Sequence, residues 1–173
     1  MRSGWMLLLV LLTACAGTPR RPEGAPSRVV VLGVAVVQKP GPQGLVSDVL
    51  GGEEPRDVVT RAGVEALRSR GFTVLGGEAV VGPAPTVAEA TAKARAYGAE
   101  AAVVLVLTRM DLSSIRPLGR AEVALEWWMV DPLGQVLSAD GRRATTTENL
   151  YRARNDWRSH VRQAVIQAVR ELP

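Results

Sequence analysis

The sequence contains one cysteine and one histidine among 173 residues. A single cysteine excludes an intrachain disulfide framework and any cysteine-cluster metal site. A single histidine, His160, excludes every mechanism that needs two, and it has no second histidine one helical turn away to share a metal. Lysine is also scarce, with 2 lysines against 19 arginines. There is no internal repeat and no block of five like charges. The glycine-bearing stretches Gly41-Pro42-Gln43-Gly44 and Leu50-Gly51-Gly52 are not followed by a lysine and a hydroxyl residue, so they read as turns and not phosphate loops. No G-x-S-x-G accompanies His160. What remains is ordinary for a globular chain: 47% hydrophobic and 22% charged residues. A chain of this length supports one domain that buries roughly 70% of its unfolded surface.

The first residues are specialised. Arg2 precedes an apolar run from Trp5 to Leu12. That run is far shorter than the roughly 20 residues of a membrane-spanning helix, and it fits the hydrophobic region of an export signal. Leu12, Thr13 and Ala14 then precede Cys15. A branched apolar residue, two small residues and a cysteine resemble the bacterial lipobox, which signal peptidase II cuts before the cysteine. Small side chains let the backbone enter the peptidase, and the thiol becomes a thioether to diacylglycerol. Three acyl chains such as palmitate, at about 0.8 kcal/mol per buried CH₂, anchor permanently where one chain does not. Cys15 is thus expected as the lipidation site, with Leu12, Thr13 and Ala14 read by the peptidase. Ala16, where an aspartate would retain a lipoprotein at the inner membrane, points to the outer membrane, facing the periplasm. The expected organisation is a signal peptide over 1–14, a lipidated cysteine and flexible tether over 15–27, and a periplasmic domain over 28–173.

Arg28–Val37 is a nearly continuous β-branched run, which predicts a central strand buried on both faces. A Gly/Pro-rich loop over 38–54 follows, long enough to be functional. Pro55 opens a helix striped by Val59, Ala62, Gly63, Ala66 and Leu67, with Gly71 as its cap. Phe72–Leu75 reads as a short second strand. Thr86 and Glu89 have capping-box spacing for a helix over Val87–Tyr97, closed by Gly98. Ala101–Leu107 reads as a third buried strand. Arg120–Val130, a turn at Asp131-Pro132-Leu133-Gly134 and Gln135–Arg143 form a hairpin. Trp157, Val161, Ala164, Val165, Ala168 and Leu172 stripe a closing helix. The order β-α-β-α-β-β-β-α predicts a single α/β (α+β) domain, a mixed sheet packed by helices.

The lipobox, the short tether, "RVVVLGVAVV", "RAGVEALRSRGFTVL", "AKARAYGAEAAVVLVLTRMDL" and "AEVALEWWMVDPLGQVLSADGRR" together resemble small periplasmic lipoproteins. That superfamily includes the TolB amino-terminal domain, the curli-secretion lipoproteins and the lipoproteins that activate penicillin-binding proteins. The likeness covers roughly residues 28–172 and rests on turns and buried strands, with no catalytic signature. It implies a periplasmic binding or assembly module. A curli-like pore needs additional membrane hairpins, for which this chain has no spare length.

The residues themselves name few candidates. Trp127 and Trp128 are adjacent, so in a strand they face opposite sides. One belongs in the core, and the other is covered by a helix or exposed as an interface anchor; Trp128, sharing a face with Glu122, Glu126 and Val130, is the better exposed candidate. From Asp140 onward there are seven arginines against four acids. Arg142, Arg143, Arg154, Arg158 and Arg162 are the candidate partner-binding cations, suited to lipid headgroups, peptidoglycan carboxylates or an acidic protein. The plainer reading is a solvated helix face. His160, beside Arg158 and Arg162, is expected on a wet surface. Glu53-Glu54 precede Pro55 and favour the helix dipole there. Glu122 and Glu126 read as a solvated strand face.

The expectation is a non-enzymatic, lipid-anchored envelope protein with no cofactor and no metal. It would bind an envelope protein or its own copies, with no nucleic acid and no small-molecule substrate. Two alternatives are a regulator of peptidoglycan synthesis and a self-assembling secretion or pore-associated component.

Overall fold

The run RVVVLGVA is apolar at almost every position because it is paired on both edges and covered on both faces. The structure, a computed structural model, describes residues 23–37, 52–112, 120–147 and 156–173, and it leaves out the side chains of 120 and 142–147. β1 (Arg28–Ala35) lies parallel to β2 (Thr73–Val80) on one side and to β3 (Ala101–Asp111) on the other. β4 (Arg120–Val130) and β5 (Val136–Thr147) continue the sheet antiparallel, giving the order β2-β1-β3-β4-β5. The helices are α1 (Pro55–Ser69), α2 (Val87–Ala96) and α3 (Trp157–Val169). The expected element order and mixed α/β class are both present.

Several boundaries differ from expectation. β1 ends at Ala35 and not Val37, and α2 ends at Ala96, one residue early. β3 runs past Leu107 through an irregularity between Leu107 and Arg109, and β5 runs past Arg143. The largest correction is β2, which spans eight residues where Phe72–Leu75 was expected. Gly76 and Gly77 conceal it, since glycine reads as a strand breaker. Here glycine is required: a Cβ on Gly76 would lie 2.3 Å from Cε1 of Tyr97, and one on Gly77 would lie 2.8 Å from Cγ2 of Val64.

Two cores result. One lies between the sheet and the α1/α3 layer and includes Val31, Leu67, Leu105, Leu107, Leu125, Trp127, Trp157 and Val161. The other is smaller, formed by α2 against Val30, Leu32, Val34, Val104, Val106 and Val130. Helix α2 reaches the sheet with alanines, Ala90 and Ala94, both fully buried. Its capping box is made as expected: the Thr86 amide donates to Glu89 Oε2 at 2.7 Å and the Glu89 amide to Thr86 Oγ1 at 3.3 Å.

His160 corrects the reading of α3. It is fully buried, not on a wet face. Position 160 stands three residues after Trp157 and four before Ala164, so it belongs to the buried stripe. Arg158 and Arg162 are each two positions away, about 200° around the helix, and take the opposite side.

Arg70 ties the two large helices together. Its Nη1 donates to the carbonyl oxygens of Val169 and of Leu172, the latter at 2.8 Å, capping α3 from the end of α1. Burial lowers the guanidinium's pKa from its ordinary value, while the Phe72 ring lies 5.6 Å beneath it. Arg70→Ala is expected to destabilise the domain by about 2 kcal/mol, because hydrogen bonds to charged donors are lost from carbonyls at a helix end. Arg70→Lys should recover less than half, since an ammonium lacks the planar fork. Urea denaturation of the three proteins checks this.

Candidate interaction surface

The two faces of the sheet are unequally covered. Helices α1 and α3 cover one face, whereas only the ten-residue α2 lies on the other, against the β1–β3 half. Among the described residues no helix covers the β4–β5 half of that second face. Trp128 stands at the boundary. It is half-buried and packs against the α2 core, while Trp127 is 2% exposed in the α1/α3 core. Alternation in β4 placed the two rings on opposite sides, as expected. Trp128 is therefore partly covered by a helix and partly open.

Beyond Trp128 the same face becomes polar. In register, Trp128 lies between Val104 and Ala139, and Glu126 between Val106 and Gly141. Glu126, Ala139 and Gly141 are exposed, and Glu122 and Ala124 are half-buried. Arg109 reaches this face through the β3 irregularity, which re-aims one residue. It bridges Glu122 at 3.6 Å and Asp111 at 3.9 Å. Among the described residues the result is a solvent-facing β surface with one aromatic ring, mixed charges and no helix over it. Glu126 and Trp128 were legible in the sequence from their alternation; Arg109 was not, because the irregularity shifts the phase on which alternation depends.

Of the five arginines expected as partner-binding cations, the side chains of Arg158 and Arg162 are described. Arg158 is engaged: its Nε donates to Glu53 and its Nη1 to Asp156 at 3.1 Å, with its guanidinium 5.2 Å from the Trp157 ring. Glu53 also pairs with Arg61, so it joins the start of α1 to the start of α3. Arg162 is exposed on α3. Arg142 and Arg143 occupy β5 opposite Leu125 and Ala124, and their side chains lie outside the described residues. Arg154, the lipobox residues Leu12, Thr13, Ala14 and Cys15, and most of the 38–54 loop lie outside them as well. Among the described residues there is no cluster of three metal-ligating side chains and no helix long and apolar enough to cross a membrane.

The Glu53 cluster carries a pH dependence. The Arg158 guanidinium holds the Glu53 carboxyl below the usual carboxylate range, against the opposing effect of burial, and Arg61 adds to it. A carboxyl whose folded pKa is depressed stabilises the fold above its unfolded pKa, and that stabilisation is lost as pH falls through the folded value. Glu100, lowered by the amides of Ser27 and Arg28, acts in the same direction. The melting temperature is expected to fall on acidification through the carboxylate range. Glu53→Gln should begin lower at neutral pH and fall less steeply, as read by thermal denaturation across pH.

No family model matches the sequence, and no curated protein matches it. Solved structures do share its fold. The hypothetical protein CT253 from Chlamydia trachomatis is 12% identical, with a TM-score of 0.55 over 86% of this chain and 98% of that one. A PelC dodecamer from Paraburkholderia phytofirmans is 14% identical, with a TM-score of 0.50 over 90% of this chain and 93% of that one. Lipoprotein GNA1162 from Neisseria meningitidis is 11% identical, with a TM-score of 0.40 over 83% of this chain and 98% of that one. The first two likenesses show a shared α/β fold at low identity.

Proposed function

We propose that the chain is a lipid-anchored, non-enzymatic domain of the bacterial cell envelope that acts by binding or assembly. Its place is the outer membrane, facing the periplasm. The observation that carries this reading is the β4–β5 half of the α2 face, which no helix covers among the described residues and which offers Trp128, Glu126 and the Arg109 bridge to a protein partner. Side chains of this kind, an aromatic ring ringed by polar groups, anchor protein interfaces. The lipobox ending at Cys15 supports the anchor, and the full burial of His160 removes the chain's one imidazole from contact with any substrate. The organisation that goes with this reading is a cleaved signal over 1–14, a lipidated tether over 15–27 and a binding domain from 28.

Self-association is the reading of the partner that one comparison favours, since PelC, which shares the fold, is described as a dodecamer. Among the described residues both outer strands, β2 and β5, also have one edge without a strand neighbour, and such edges pair readily with another chain.

Placing a photocrosslinking amino acid at position 126 in membranes tests both readings. The expected result is one defined product, a heterologous envelope protein or a ladder of the chain itself. A control at Ile166, an exposed apolar position on α3, should yield none. Equal, diffuse labelling at both positions would sink the binding role of this face. Cys15→Ala should move the protein from the membrane to the soluble fraction; a variant that stays equally membrane-bound refutes the anchor.

A further inference from the structure

One end of the domain differs from the other. The parallel strands β1, β2 and β3 begin there, β4 ends there, and all three helices terminate there. The tether leaves the domain at this end. Its exit is held in place: the Ser27 amide donates to Glu100 Oε2 at 2.6 Å, the Ser27 hydroxyl to the same oxygen at 3.0 Å, and the Thr73 amide to the Ser27 carbonyl at 2.8 Å. The stretch between Cys15 and this exit is about 12 residues, a reach of at most about 40 Å, comparable to the width of the domain.

The same end presents the most exposed apolar side chain among the large hydrophobic residues described. Leu133, at the apex of the β4–β5 turn, is 86% exposed, Val136 and Leu137 of β5 beside it are 46% and 38% exposed, and Tyr97, at the end of α2 over Gly76 of β2, is 40% exposed. The turn is rigid by construction. Gly134 donates to the Asp131 carbonyl at 3.1 Å, and the Leu133 and Gln135 amides donate to Asp131 Oδ1 at 2.9 and 2.8 Å. Arg95 of α2 pins it from the side, its Nε donating to the Pro132 carbonyl at 2.6 Å. A leucine held out by so many backbone bonds is displayed and not merely left over.

Charge defines the rest of this end. Arg28, Arg68, Arg95 and Arg170 stand beside it, where helix C-termini favour cations. Glu100 and Asp131 are occupied with backbone amides, and Glu171 completes the acids. With Arg70 at the end of α1 counted, five arginines face three acids, a modest positive excess. An apolar apex flanked by arginines matches a lipid interface, where leucine and tyrosine enter the headgroup boundary and arginine meets phosphate. The opposite end also exposes Val36, Val81 and Val87. That end, however, lies away from residues 23–27, through which the tether enters β1.

We propose that the tether end docks on the bilayer, with Leu133 inserted as a wedge and Tyr97, Val136 and Leu137 at the headgroup level. This rests on the lipid-anchor reading. The anchor supplies the affinity, and the Leu133 end sets the orientation, which turns the Trp128 face sideways to the membrane and leaves it open to a partner.

The full lipidated chain in vesicles of phosphatidylethanolamine and phosphatidylglycerol tests this. Cys15 is consumed by lipidation, so Leu133→Cys and Val81→Cys each carry one free thiol for an environment-sensitive fluorophore. Nitroxide-labelled lipids should quench the probe at 133 several-fold more than the probe at 81, which lies at the opposite end. Equal quenching, or stronger quenching at 81, overturns the inference. So does a probe at 133 that is unquenched yet blue-shifted in proportion to protein concentration, because a second copy then covers that end. Flotation of the same samples separates the two readings. A chain that fails to float refutes the anchor and the docking together, whereas one that floats with position 133 unquenched refutes the docking alone.

Discussion

Gly33→Val is expected to cost about 3 kcal/mol, a large share of a domain's total stability. Helix α1 crosses β1 directly over this glycine. A Cβ at position 33 would lie 2.1 Å from Thr60 Oγ1, 2.8 Å from the Thr60 nitrogen and 2.9 Å from its Cα. Two of those atoms are backbone, so no rotamer change relieves the clash and the helix must lift from the sheet. Lifting α1 also loosens the Arg70 cap on α3 and the Glu53 link to Arg158. Gly63→Ala makes the comparison informative. Its Cβ would meet Leu105 Cδ1 at 2.5 Å, the tip of a side chain that can turn aside. The expected loss there is about 1 kcal/mol. Urea denaturation, with the slope unchanged between variants, measures both. A Gly33→Val protein as stable as the parent would mean that α1 does not sit at this distance.

Trp127→Ala and Trp128→Ala form the second pair. Trp127 is 2% exposed among Leu105, Leu125 and Val161, and its removal is expected to cost about 3–5 kcal/mol through lost transfer energy and a residual cavity. Its neighbour packs only partly against the α2 core. Trp128→Ala should cost less than half as much in denaturation, yet remove the crosslinked product formed from position 126. The reverse ranking, with Trp128 the costlier loss, would place that ring in the core and remove it from the interaction surface. A Trp128→Ala protein that crosslinks as well as the parent would show that the ring serves packing alone.

Much of the fold was readable because its signals are local. The unbroken apolar runs at 29–32 and 101–107 identify doubly covered strands, and the Thr86/Glu89 spacing identifies the start of α2. Gly71 and Gly98, both at positive φ, close α1 and α2 where a left-handed residue is needed. Legibility failed where the deciding contact is distant in sequence. The second half of β2 was hidden because Gly76 and Gly77 make room for Tyr97, Thr60 and Val64, none of them its neighbours in the chain. His160 was misplaced through the arginines two positions to either side, although its own spacing from Trp157 and Ala164 put it in the buried stripe. The surface was less legible still. Arg158 counted as a free cation until its partners Glu53 and Asp156 came beside it.

The sequence by itself determined the element order, the α/β class and the caps of α2, because hydrophobic period and turn chemistry act within a few residues. It also carried the expectation of a lipid anchor, since a peptidase reads the lipobox as linear sequence. Only the tertiary structure decided which half of the sheet stays uncovered, which arginines are consumed in ion pairs and which end of the domain displays Leu133. Those outcomes depend on how three helices of unequal length divide two sheet faces, and no local pattern records that division.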